Sequence, residues 1–126
     1  MTNSEVLIEF KKQIICFLDE LINQFPNEGD LVVFRLFLEN QIPIENVMQN
    51  FKYQLNKDNC KIKNMIKERN QDFFLNYEVF SGNSQQEGRI SHFKKIWLSG
   101  QLDKEDKEVI WKWMDAFTFL SEQFNN

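Results

Sequence analysis

The sequence has little glycine, less histidine and almost no alanine. Four glycines, at 29, 82, 88 and 100, are too few and too far apart to build a P-loop or a GxGxxG turn. The single histidine, His92, has no HExxH or ExxH spacing around it, which argues against a zinc site. With two distant cysteines and no nucleophile elbow, a catalytic triad has no raw material either. Cys16 and Cys60 fit neither zinc-ligand spacing nor a disulfide framework, so a reducing compartment is expected. Cys16 lies in an apolar run and reads as a small core residue. No apolar run approaches the ~20 residues of a membrane span. Glu5, Glu9, Lys11 and Lys12 interrupt any signal-peptide core. The expectation is a soluble intracellular protein that uses no cofactor and no metal and is not an enzyme.

What is present is apolar bulk. The chain has 126 residues, 42% of them hydrophobic, with 13 Phe. That is enough for one domain, residues 1–126, with a core that needs no staples. The net charge of −4 argues mildly against a general polyanion binder. Asn, Lys, Ile and Phe make up 50 of the 126 residues, while alanine, the best helix former, occurs once, at Ala116. Such a bias suits an AT-rich coding genome better than a structural need.

The periodicity predicts helices throughout. Leu7, Phe10, Ile14, Phe17, Leu18, Leu21 and Phe25 share one face of a first helix over about 4–25. Thr2 and Glu5 have capping-box spacing, and Ser4 competes for the cap. Ile8, Ile15 and Ile22 form a second row, which reads as packing on a second neighbour or, more sharply, as contact with another chain. Pro26 stops the helix. The stretch Asp30 to Asn40, DLVVFRLFLEN, is apolar on all sides except at Arg35. A helix of that kind needs neighbours all round, so 31–40 is expected to be the central element, N-capped by Asp30. Arg35, if buried, requires a carboxylate, and Glu39 is the local candidate. Pro43 opens a third helix with Val47, Met48, Phe51 and Leu55 inward, together with Ile44. A polar turn at 56–59, with Asp58 as N-cap, leads to a fourth helix that buries Ile62, Met65 and Ile66. It either continues past Asn70 or kinks there. Residues 81–88 read as a loop. A fifth helix over about 89–98 places Ile90, Phe93, Ile96 and Trp97 inward and His92 outward, with Gly100 at its end. Asp103 caps a last helix whose first turn holds Glu105 and Asp106. Ile110, Trp113, Phe117, Leu120 and Phe124 form its inner stripe. The fold expected is all-α, a compact bundle of about six helices around the helix at 31–40.

Two features stand outside that frame. Trp111 and Phe119 point away from the inner stripe of the last helix, as buried contacts with a second neighbour or as anchors for a partner protein. Lys52, Lys57, Lys61, Lys63, Lys67 and Arg69 gather six positive charges against Asp58 and Glu68 in an otherwise acidic chain. They read either as solvated helix flanks or as a phosphate-binding patch for nucleic acid. The acidic run Asp103, Glu105, Asp106, Glu108 lacks the glycine and terminal glutamate of a calcium loop, and helix capping accounts for it.

Two segments carry a resemblance: FLDELINQFPNEGDLVVFRLFLENQIPIENVM at 17–48 and SGQLDKEDKEVIWKWMDAFTFLSEQF at 99–124. In their FP turn, QIP break and LDxEDKxVIWxW segment they resemble a family of short uncharacterised proteins of nucleocytoplasmic large DNA viruses. The likeness covers most of the chain and is weakest over 78–90. It implies a viral protein acting in the cytoplasm or nucleus of an infected cell, or packaged in the virion. It brings no activity, cofactor or site with it. The function expected is a non-catalytic protein–protein interaction or structural role, self-association included. The alternative is a nucleic-acid-binding accessory factor of viral replication or transcription.

Overall fold

A computed structural model describes residues 2–71 and 96–125. Among the described residues there are four helices and no strand: α1 (Asn3–Gln24), α2 (Gly29–Asn40), α3 (Ile44–Lys67) and α4 (Lys104–Gln123). The expected all-α class holds, with four helices in place of about six. Two of the expected helices run together as α3. The loop at 81–88, His92 and most of the helix expected at 89–98 lie outside the described residues. Ile96 and Trp97 are described and buried, and Gly100 has the positive φ, 78°, of the expected helix end.

The caps follow the sequence at two helices. Thr2 and Glu5 form a reciprocal capping box on α1, and Asp103 and Asp106 form another on α4. Each satisfies backbone donors that a helix start leaves unpaired. The expected cap at Asp30 does not form. α2 begins at Gly29, after Glu28, with no side-chain cap. Pro43 is the N-cap of α3 and stands just outside its first turn.

α3 leaves helical geometry where the polar turn was expected. Lys57 is extended, and Asp58, Asn59 and Cys60 follow with φ of 53°, 60° and 63°. Asp58 is therefore in the left-handed region and does not take the extended form of an N-cap. Asp and Asn tolerate that region because their side chains bond locally, whereas Cys60 has only a weak thiol hydrogen bond to Asn56 Oδ1 at 3.7 Å. α3 then ends before Asn70 without running on. Arg69 turns left-handed at φ 58°, and the Asn70 N–H returns to the Met65 carbonyl at 2.8 Å.

The central element is α1, which packs against α2, α3 and α4, while α3 also packs along α4. The expectation that the helix at 31–40 is central is corrected. α2 buries only Leu31, Phe34 and Leu38, and it packs mainly on α1. Val32, Val33 and Leu36, on its opposite side, are 40%, 41% and 51% exposed. The all-round apolarity of α2 is real, but among the described residues its neighbours come from one direction. α1 presents the wider buried face: Val6, Phe10, Ile14, Phe17, Leu18 and Leu21. There Phe10 and Phe17 both meet Phe117 of α4, with ring centroids 6.0 and 5.8 Å apart, and Phe10 meets Phe51 of α3 at 5.8 Å. Three helices thus converge on one aromatic cluster, where edge-to-face contacts add to the burial.

The isoleucine row lies on the side of α1 that bonds to α2. Lys11 donates to the Glu39 carbonyl, and Asp19 accepts from Arg35. Ile15 sits one turn from each of them, on the same side of α1, and is half-buried, as is Ile22. Ile8, beyond them, is exposed. Cys16 faces away from the buried stripe and is exposed, so it is not the core residue expected.

Candidate interaction groove

Where the last two turns of α3 run beside the C-terminal half of α4, they leave an open groove of about 580 Å³. Lys63, Lys67 and Arg69 line it from the α3 side, and Asp115, Phe119 and Glu122 line it from α4. The groove thus brings together half of the basic segment and one of the two off-stripe aromatics.

Ion pairs tie the two walls of the groove together. Because Arg69 ends α3 in a left-handed turn, its side chain extends across to α4. There it gives two hydrogen bonds to Asp115, at 2.9 and 2.8 Å, and a longer one to Glu108 at 3.5 Å. Hydrogen bonding to Asp115 raises the Arg69 pKa above its ordinary value, with the charges of Asp115 and Glu108 adding to the effect. Lys63 pairs with Glu122 at 3.4 Å. Glu108, Asp115 and Glu122 recur every seven residues, so they lie in one row along α4. That row was the signal in the sequence for the acidic wall.

The six cations of the basic segment therefore have different fates. Lys52 donates to the Phe124 carbonyl at the end of α4, where a cation suits the helix dipole. Lys57 lies over the Tyr53 ring, 6.0 Å from its centroid. Lys63 and Arg69 are paired with α4. Lys61 and Lys67 are exposed, and Lys67 makes no hydrogen bond or ion pair among the described residues.

The two aromatics also part company. Trp111 is buried, 4% exposed, with its ring edge-on to Trp97 at 5.6 Å and the Arg69 guanidinium 5.8 Å from its face. It packs on a second neighbour and offers no surface to a partner, because residues distant in sequence cover it. Phe119 is 57% exposed at the groove. Trp113, expected inside, is half-buried and donates its indole N–H to Glu20 at 2.9 Å.

Arg35 is half-buried and bonds to Asp19 at 2.6 Å and to Glu39 at 2.9 Å. Hydrogen bonding to Asp19 raises its pKa, and both carboxylate charges add to the shift. It ties α2 to α1. Glu39 was the partner expected, and Asp19, on another helix, was not.

The described residues hold no cluster of three or more His, Cys, Asp or Glu placed to bind a metal, and no helix among them is long and apolar enough to cross a membrane. No protein-family model, curated protein or solved structure matches this chain.

Proposed function

We propose that the chain is a non-catalytic protein–protein interaction protein of a large DNA virus, acting in the infected cell or the virion, and that its contact surface is the α3–α4 groove. The observation that carries this reading is Phe119. Phe119 is 57% exposed in the lining of an open groove, where its ring is available to a partner's side chain. The viral setting rests on the resemblance of 17–48 and 99–124. Affinity purification from infected cells with mass spectrometry, comparing the wild type with Phe119→Ser, tests the reading. A protein recovered with the wild type and lost with the variant supports it. Equal recovery by both removes Phe119 as the anchor.

The alternative is a nucleic-acid-binding accessory factor acting through 52–69. It has exposed Lys67 to build on, but Lys52, Lys63 and Arg69 already serve α4. A salt titration of DNA and RNA binding decides it, since phosphate contacts make affinity fall steeply with salt. No binding at low salt eliminates it.

A further inference from the structure

We propose that the groove takes an acidic peptide segment of a partner protein, with one aromatic or large apolar side chain set among its carboxylates. This rests on the interaction reading above and names the chemistry of the partner. Both oxygens of Asp115 are already bonded to Arg69, so that pair presents little charge to a ligand. What remains is Lys63, held to Glu122 by one 3.4 Å contact, and Lys67, which has no partner among the described residues. Lys63 and Lys67 are four residues apart on one helix, which sets their stems ~6 Å apart on the same side. The groove therefore offers two ammonium groups against one carboxylate, on a chain whose overall charge is −4. Local positive charge on an acidic protein favours acidic partners.

The apolar half of the fit comes from the same walls. Ile66 and Thr118 line the groove between the lysines and Phe119. An aromatic side chain seated there covers Phe119, which no described ring contacts. Its flanking carboxylates reach Lys67 and compete with Glu122 for Lys63. That exchange costs little, because a half-exposed ion pair contributes little to stability.

The test is an NMR titration of the full chain with the synthetic peptide Glu-Glu-Phe-Glu-Glu, blocked at both ends. Two control peptides replace its phenylalanine by serine, or all its glutamates by glutamine. The expected result is shifts of the amides of Lys63, Lys67, Thr118 and Phe119. Binding falls about tenfold or more with either control peptide and with Lys67→Glu, a loss of roughly 1.4 kcal/mol. Lys67→Glu removes no contact of the fold, so its folded spectrum serves as its own control. Equal binding of the glutamine peptide, or indifference to Lys67→Glu, overturns the proposal. So does an oligothymidine that shifts these amides when the acidic peptide does not. If Phe119→Ser abolishes partner recovery while the acidic peptide leaves the spectrum unchanged, the interaction reading stands and this one falls. If the peptide binds but partner recovery is indifferent to Phe119→Ser, the groove's chemistry stands and its assignment as the partner site falls.

Discussion

Arg69 holds both oxygens of Asp115, Nη1 to Oδ1 at 2.9 Å and Nη2 to Oδ2 at 2.8 Å, across 46 residues of sequence. The pair closes the end of α3 onto α4 and sets one wall of the groove. A lysine at 69 keeps the charge but cannot form the fork. Arg69→Lys is expected to lower stability by about 0.5–1 kcal/mol, read as a reduced urea midpoint with an unchanged slope. Bonding to Asp115 raises the Arg69 pKa in the folded state. The contribution from that shift is therefore fully present below the arginine range and lost only as pH rises through it. The loss in the variant is expected to be the same at about pH 6 and about pH 8.

Trp111 and Phe119 lie on the same helix and have opposite roles. Trp111→Ala removes a buried indole and is expected to cost about 3–5 kcal/mol, a large fraction of a domain's net stability. Phe119→Ala is expected to change stability by less than about 0.5 kcal/mol. Thermal or urea unfolding of the two variants side by side checks this. Equal destabilisation contradicts the assignment.

α2 is a peripheral helix with one buried stripe, and two substitutions read that out. Leu38→Ala is expected to cost about 2–5 kcal/mol, as a fully buried leucine does. Val33→Lys, on the opposite side, is expected to cost under about 0.5 kcal/mol. If the two cost the same, α2 is surrounded as its sequence first suggests.

The left-handed run in α3 offers a stabilising change. A non-glycine residue there costs roughly 1–2 kcal/mol, and the side chain of Cys60 offsets it only with a weak thiol hydrogen bond to Asn56 Oδ1 at 3.7 Å. Glycine relieves it at an entropic cost of about 0.5–1 kcal/mol. Cys60→Gly is therefore expected to raise stability by up to about 1 kcal/mol, measured by urea unfolding, in contrast to the usual effect of glycine inside a helix. A loss of stability contradicts the left-handed geometry at 60.

Local chemistry was the legible part of this chain. Thr2 with Glu5 and Asp103 with Asp106 could be read as caps because each pairing closes within three residues. The inward positions Val47, Met48, Phe51, Leu55, Ile62, Met65 and Ile66 followed from helical spacing, and all are buried. Periodicity shows which residues avoid water, not how many neighbours arrive to cover them. That is why α2 looked central and Cys16 looked buried. Trp111 was ambiguous for the same reason, since Trp97, which covers it, belongs to a separate segment. The groove was half legible. Its basic wall and Phe119 stood out by composition and direction. Asp115 and Glu122 were seven residues apart in plain view but gained meaning only once α3 lay beside α4.

The central claim is that Phe119 at the α3–α4 groove anchors a protein partner. Its most direct test compares two exposed apolar residues on opposite helices, Phe119→Ser and Leu36→Ser, in quantitative partner recovery from infected cells. The account predicts that Phe119→Ser loses the partner while Leu36→Ser keeps it at wild-type level, both proteins unfolding at wild-type urea concentration. Retention by Phe119→Ser with loss by Leu36→Ser would contradict it and move the interface to α2.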